Sequence, residues 1–183
     1  MYFLLGRTSL AGDSYIQAVF PDGSTLANPT KVTRKLLEKA GCTTLHSDLR
    51  AVLYVEDDEL DVMLMRRAWR KVGLRNPLHV VMDGYEAQSY LSGTAYYANR
   101  AAHPMPSLVL LDLKLPGFTG LDLLKWIRGH PTLHALRVIL FSSSSLSNDR
   151  QRAEGLGANA YWIKPSDPRE LEEMVLSLKQ LWL

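Results

Sequence analysis

Acidic, hydroxyl and amine side chains stand directly after four short apolar runs of the sequence. They are Glu56, Asp57 and Asp58 after the first run, Asp112 after the second, Ser142 and Ser143 after the third, and Lys164 after the last. Carboxylates held close together repel one another and raise each other's pKa. A hard divalent cation relieves that repulsion, and Mg²⁺ favours a few carboxylates together with water and phosphate oxygens. With such a cation bound, one carboxylate can attack phosphorus and form an aspartyl phosphate, while an amine and a hydroxyl bind the phosphoryl oxygens.

The runs that carry these residues belong to a regular alternation of strands and helices. Apolar runs predict five strands, at 51–55, 78–82, 107–112, 136–141 and 160–163. Helical periodicity predicts five helices, at 59–72, 84–91, 119–128, 145–156 and 168–180. Strands that are apolar throughout and alternate with helices indicate a parallel sheet covered on both faces. We therefore expect an α/β, doubly wound sandwich whose polar residues meet at the carboxyl ends of the strands, where ligands bind.

Two details of the first predicted helix bear on the site. Asp58 immediately precedes it, and we interpret this carboxylate as the helix N-cap rather than as a metal ligand. The apolar residues Leu60, Met63, Leu64, Ala68 and Val72 recur at helical spacing, which predicts that they share one face of the helix.

Composition excludes several classes of function. Lys and Arg total 21 against 19 Asp and Glu, so the net charge of +2 gives no concentrated basic face for nucleic acid. The only cysteine, Cys42, cannot form an internal disulfide and is typical of a reducing compartment. The apolar runs are too short to span a bilayer. We therefore expect a cytoplasmic protein that binds neither nucleic acid nor membrane.

Residues 1–48 have a different pattern and form an N-terminal extension of unknown role. Residues 15–20 and 25–26 flank Pro21-Asp-Gly-Ser24, which predicts a hairpin, and residues 31–39 predict a helix that ends before Gly41. The segment has too few apolar residues to bury a core alone. The second domain is expected at residues 49–183.

Five motifs in the second domain resemble the receiver domain of bacterial response regulators. They are VEDD at 55–58, LLDLKLPG at 110–117, FSSS at 141–144, GANA at 157–160 and IKP at 163–165. NPLHVVMDG at 76–84 and the final LWL at 181–183 further resemble stand-alone receivers associated with phytochromes. The resemblance implies a flavodoxin-like sheet with strand order 2-1-3-4-5.

Carried over by position, the resemblance also implies the roles of the site residues. Asp112 would be the phosphoacceptor, and Lys164 would pair with a phosphoryl oxygen. Asp112 would also bind Mg²⁺, together with Asp57 directly, Glu56 through water and the backbone carbonyl of Lys114. Ser142 would be the switch hydroxyl, and Tyr161 would match the aromatic that turns inward on activation.

The resemblance has further implications for the Lys164–Pro165 peptide bond and for the lifetime of the phosphorylated aspartate. The Lys164–Pro165 bond resembles the family's cis peptide. Lys114 and Ser144 occupy positions that tune phosphate lifetime, and we expect an altered lifetime. Ser143 to Ser145 are otherwise interpreted as a plain loop, and Tyr161 remains equally interpretable as an ordinary strand aromatic.

The expected function is that of a single-domain response regulator. A sensor histidine kinase, of phytochrome type, would phosphorylate Asp112, and the phosphorylated protein would switch a protein-binding surface. It would not be an enzyme beyond its own phosphorylation and dephosphorylation. The downstream partner is unknown, and homodimerisation stays open. An aspartyl-phosphate phosphatase is disfavoured, because that class needs a second acid where Lys114 stands. A receiver-like module that binds partners without phosphorylation is the remaining alternative.

Overall fold

A computed structural model describes the strands Leu4–Leu10, Asp13–Val19 and Thr25–Ala27 and all of residues 50–183. The chain divides into two units, Met1–Asp48 and Leu49–Leu183. Among the described residues, no helix has the length and apolar character needed to cross a membrane.

The first unit contains a three-stranded antiparallel sheet in the order β1-β2-β3. Its strands are β1 (Leu4–Leu10), β2 (Asp13–Val19) and β3 (Thr25–Ala27). The pairing of β2 with β3 confirms the predicted hairpin. The strand β1 was not predicted, although it pairs with β2 along its whole length. The helix predicted at 31–39 lies outside the described residues.

The second unit is a five-stranded parallel sheet with helices between successive strands. The strands are β4 (Val52–Val55), β5 (Leu78–Val81), β6 (Leu108–Leu111), β7 (Arg137–Ser142) and β8 (Ala160–Ile163). The helices are α1 (Glu59–Lys71), α2 (Gly84–Ser92), α3 (Gly120–Gly129), α4 (Ser147–Gly155) and α5 (Pro168–Leu181), with a 3₁₀ helix at Ala95–Ala98. The strand order β5-β4-β6-β7-β8 is the predicted 2-1-3-4-5 arrangement, so the fold prediction is confirmed.

The central strands are apolar because both of their faces are covered. Every residue of β4 and β6 is buried. On one face, Leu53 and Val109 pack in a core with Leu123 and Ile127 of α3, all four without exposed surface. Burying one such side chain contributes roughly 1.5–3 kcal/mol. This packing fixes the sheet whose carboxyl edge carries the polar residues.

The first helix begins as predicted, and its predicted apolar face is only partly buried. Asp58 is its N-cap, and Oδ1 accepts hydrogen bonds from the backbone N–H groups of Leu60 (2.7 Å) and Asp61 (3.2 Å). Leu60 and Met63, at the start of the helix, are each 57% exposed. The buried residues are Met65, Ala68 and Trp69. Sequence periodicity could not separate the two faces, because both carry apolar residues at helical spacing.

The third helix begins in close contact with the end of β6. Thr119 and Asp122 form a capping box at its first turn. At Gly120, an added Cβ would lie only 2.1 Å from the carbonyl oxygen of Asp112. Only glycine allows the helix to approach the backbone of Asp112 this closely.

Near the carboxyl end of α3, Arg128 joins neighbouring connections by hydrogen bonds. Its Nε donates to the carbonyl of Gly157 (2.8 Å) and its Nη1 to the carbonyl of Leu136 (2.8 Å). Its Nη2 donates to Oδ1 of Asn159 (2.9 Å), which also accepts from the backbone N–H of Val138 (2.8 Å). These bonds connect α3 to the segment that precedes β7 and to the segment that follows α4.

Candidate functional site

Three carboxylates meet at the carboxyl edge of the sheet. Val55 of β4 is the partner of Leu111 of β6, so the residues that follow the two strands are neighbours. Glu56, Asp57 and Asp112 each offer an oxygen, and these oxygens all lie within 4.8 Å of one another. Glu56 and Asp112 are buried, whereas Asp57 is exposed. Carboxylate oxygens gathered in this way are the ligands that a hard divalent cation takes.

The side chain of Lys164, which follows β8, lies against these carboxylates. Its Nζ is 2.6 Å from Oε2 of Glu56 and 3.2 Å from Oδ1 of Asp112. It is also 2.8 Å from Oδ2 of Asp61, in the first turn of α1. The structure therefore brings together the predicted acids and the predicted lysine and adds Asp61, which the sequence interpretation missed.

Burial and charge act in opposite directions on this cluster. Burial raises the pKa of Glu56, and hydrogen bonds from Lys164 and Tyr54 offset part of the rise. Burial alone would lower the pKa of Lys164, but hydrogen bonds to Asp61 and Glu56, together with the charge of Asp112, raise it overall. The ammonium group thus stays protonated at neutral pH and supplies the positive charge nearest to the acids.

Tyr54 supports the cluster from inside the sheet. Its side chain is fully buried in β4, and its hydroxyl donates a 2.8 Å hydrogen bond to Oε2 of Glu56. Burial, followed by the charge of Glu56, raises the pKa of the phenol beyond its usual range, so the hydroxyl keeps its proton. Tyr54 was hidden from sequence analysis because it reads as one more residue of an apolar strand. Oε2 of Glu56 therefore has two donors, Tyr54 and Lys164.

The two carboxylate oxygens of Asp112 have different partners. Oδ2 accepts a 2.7 Å hydrogen bond from the backbone N–H of Lys114, and Oδ1 faces Lys164. The Lys114 residue itself is exposed, so its side chain contributes no buried group to the cluster. These contacts fix the orientation of the carboxylate that the sequence singled out.

A second group of residues connects β7 to β8 beside the acids. Ser142, the last residue of β7, is fully buried, and its Oγ accepts a 3.1 Å hydrogen bond from the backbone N–H of Ser144. The hydroxyl of Tyr161 donates to the carbonyl of Ser144 at 2.9 Å. The Ser144 hydroxyl donates to Asp149 in the first turn of α4 at 2.6 Å.

The structure adds to one expectation and corrects another. Ser144 lies in the loop between β7 and α4, as expected, but it is buried and bonded through both its backbone and its side chain. The Lys164–Pro165 peptide is trans, so the expected cis bond was wrong. The trans form is the more stable isomer even before proline, and Lys164 reaches its carboxylate partners without the cis geometry. Tyr161 is buried, with its hydroxyl turned toward Ser144.

Comparisons with known proteins agree with this geometry. Residues 52–176, which contain every side chain of the site, match the family description "response regulator receiver domain". Response regulator Rcp1 of Synechocystis sp. is 29% identical over 134 residues, which make up 73% of this chain and 89% of Rcp1. Probable methanogenesis regulatory protein FilR2 of Methanothrix harundinacea is 32% identical over 132 residues, or 72% of this chain and 83% of FilR2.

Two solved structures extend the comparison. The phosphorylated cyanobacterial phytochrome response regulator RcpA has a TM-score of 0.67 at 31% identity, covering 73% of this chain and 93% of RcpA. The Mn²⁺-bound form of Rcp1 has a TM-score of 0.66 at 29% identity, covering 73% of this chain and 94% of Rcp1. Both the backbone and the sequence of the second unit are therefore similar to proteins of one signalling family.

Proposed function

The chain belongs to the response regulator receiver domain family, and we propose that it is a single-domain response regulator that accepts a phosphoryl group on Asp112. The observation that carries the proposal is the environment of Asp112. Its carboxylate is buried, is oriented by the N–H of Lys114, and lies 3.2 Å from the ammonium group of Lys164. A carboxylate held in this way can act as a nucleophile, and the positive charge of Lys164 would stabilise the negatively charged phosphorylated product.

The transfer step uses this chain's own groups as follows. A carboxylate oxygen of Asp112 forms a bond to phosphorus while the bond from phosphorus to the donor breaks, and the donor leaves with that electron pair. Lys164 donates a hydrogen bond to a phosphoryl oxygen, which lowers the cost of the negative charge that collects on the phosphoryl group. The product is an acyl phosphate on Asp112.

The acids fit a divalent cation, and we propose that it is Mg²⁺. Asp57 directly, Glu56 through water, Asp112 and the carbonyl of Lys114 would hold it. Such an ion supplies charge neutralisation between carboxylates and phosphoryl oxygens. Support comes from the oxygens of the three acids, which lie within 4.8 Å of one another, and from the Mn²⁺-bound form of the relative Rcp1.

The switch is proposed to run through Ser144. A phosphoryl group on Asp112 would accept a hydrogen bond from the hydroxyl of Ser142 and draw it away from the N–H of Ser144, which now donates to its Oγ. Tyr161 is bonded to the carbonyl of the same residue, so a change at Ser142 reaches Tyr161 through Ser144. The surface formed by α4, β8 and α5 would change as a result, a local charge event that drives a two-state element.

The partner that phosphorylates Asp112 is proposed to be a sensor histidine kinase, of phytochrome type by analogy with RcpA. The proposal includes a receiver domain of residues 49–183, an N-terminal extension of residues 1–48 and a cytoplasmic location. Output would pass through a protein partner or a second copy of the chain. No enzymatic activity beyond the chemistry of Asp112 itself is proposed.

One observation favours the alternative, a receiver-like module that binds partners without phosphorylation. The hydroxyl of Tyr161 donates to the carbonyl of Ser144, a contact to which Asp112 contributes no group. A module that is permanently in the binding conformation would have the same contact.

Intact-mass spectrometry distinguishes the two functions. The chain is incubated with Mg²⁺ and acetyl phosphate and sampled at short times, beside Asp112→Asn and the matched control Asp167→Asn. Asp167 is the N-cap of α5, and asparagine caps a helix equally well, so the control keeps the fold. We expect one phosphoryl adduct in wild type and in the control and none in Asp112→Asn. A folded wild type that gains no mass contradicts the proposal and leaves the phosphorylation-independent module.

A further inference from the structure

Lys164 has a carboxylate partner outside the group of acids that suits a cation. That group consists of Glu56, Asp57 and Asp112. Asp61 is not part of it, yet its Oδ2 lies 2.8 Å from Nζ of Lys164. Asp61 belongs to the first turn of α1, whereas Lys164 follows β8, so this contact joins two elements that are far apart in the chain.

The hydrogen-bonding capacity of Lys164 gives this contact a specific consequence. A lysine ammonium group has three N–H donors and no acceptor. Glu56 lies 2.6 Å from Nζ, Asp61 2.8 Å and Asp112 3.2 Å, so one donor is available for each carboxylate. The contact with Asp112 is the longest of the three. It is also the one that a phosphoryl oxygen on Asp112 would replace.

We propose that Asp61 is a positioning residue for phosphoryl transfer and that it acts through Lys164. Together with Glu56 it engages two of the three N–H donors, so that the remaining donor points toward Asp112. Without Asp61, one donor turns to water and the long side chain regains rotational freedom, which removes part of the preorganised charge at the transfer site. The inference deepens the proposed function and rests on it.

The same turn of α1 contains a matched control. Glu59 is an exposed acid at the start of the helix, so it shares with Asp61 any favourable interaction with the helix dipole. The contacts of Lys164 are made to Glu56, Asp61 and Asp112 rather than to Glu59. A difference between the two variants therefore reports the contact with Lys164 and not the loss of an acid from the helix N-terminus.

The experiment measures the rate of Asp112 phosphorylation by acetyl phosphate at saturating Mg²⁺, over a range of acetyl phosphate concentrations. Asp61→Ala, Asp61→Asn and Glu59→Ala are compared with wild type, and urea unfolding checks that each is folded. We expect Asp61→Ala to lower the maximal rate about tenfold, the scale of one lost hydrogen bond to a charged group. Asp61→Asn, which keeps an acceptor oxygen, should recover part of the loss. Glu59→Ala should stay within about twofold of wild type, as an exposed substitution does.

A second readout reports the ammonium group without any phosphoryl transfer. In ¹⁵N NMR of the side chain, the Lys164 ammonium protons should exchange slowly with water in wild type and in Glu59→Ala, and faster in Asp61→Ala. Equal maximal rates in Asp61→Ala and Glu59→Ala would overturn the inference alone, as would equal proton exchange. A wild type that takes no phosphoryl group would overturn the proposed function and this inference with it, and the NMR result would still show whether Asp61 holds the ammonium group.

Discussion

Replacing Gly120 with alanine tests how closely the fold and the phosphoacceptor depend on one contact. The added Cβ would lie 2.1 Å from the carbonyl oxygen of Asp112 and 3.0 Å from the Cα of Leu113. Ordinary contact begins near 3.4 Å, so the first distance is roughly 1.3 Å too short. The three nearest atoms that the Cβ would meet are all backbone, which cannot rotate out of the way. Either α3 or the end of β6 must move.

The magnitude follows from the size of that movement. Overpacking a well-packed site costs typically 1–3 kcal/mol, and a clash with backbone belongs at the upper end, about 3 kcal/mol. If the backbone of Asp112 moves by about 1 Å, phosphoryl transfer should slow roughly 100-fold, since catalytic geometry tolerates little misplacement. We therefore expect Gly120→Ala to lose both stability and phosphorylation rate.

Gly129 gives the same substitution at the other end of α3. An added Cβ there meets nothing within 4 Å. Alanine should stabilise this position by about 0.5 kcal/mol, because it restricts the unfolded chain without creating a clash. Stability is measured by urea unfolding with linear extrapolation, and phosphorylation by intact mass with acetyl phosphate. If Gly120→Ala is as stable as Gly129→Ala and is phosphorylated at the same rate, the argument from backbone contact is refuted.

Two further predictions concern polar side chains of β4 and β5. Tyr54→Phe removes the hydroxyl that donates to Glu56, and we expect a loss of about 1 kcal/mol in the free energy of unfolding by urea; no loss would mean that the bond contributes nothing net. Burial, and secondarily the charge of His103, lower the pKa of His79 below 6.5. Folding therefore favours the neutral form of His79. The stability that depends on this neutral form is present above pH 6.5 and is lost as the pH falls through the lowered pKa. His79→Phe should thus lose less stability than wild type between pH 7 and about pH 5 in urea titrations, and an equal loss in both proteins would contradict this assignment.

The sequence predicted the fold of the second unit because its strands are short, apolar and punctuated by glycine and polar residues. The order of elements, the capping role of Asp58 and the meeting of the acids with Lys164 were all anticipated. A parallel sheet brings the carboxyl ends of its strands to one edge, so residues that follow the strands converge whatever their separation in the chain. The predicted chemistry of Asp112 depends on that convergence and stays a prediction.

The parts that sequence missed depend on side-chain direction. Asp61 looks like an ordinary acid in a first helical turn, and only the packing of α1 brings it to Lys164. Leu60 and Met63 fit the helical period as well as Met65 and Trp69 do, so period alone could not decide which face is buried. The contact between Ser144 and Tyr161 had no signal in the sequence, because it is made by the backbone carbonyl of Ser144, which every residue carries.

The hydrogen bonds of Arg128 have a mechanical consequence for α4. They hold the connection that leaves the carboxyl end of this helix, at Gly157 and Asn159. The amino end is attached instead through Ser144 and Asp149, next to the hydroxyl of Ser142. A nine-residue helix is about 13 Å long. Because its carboxyl end is held near Arg128, we expect a small displacement at Ser144 to tilt the whole helix about that end rather than to slide it along the sheet.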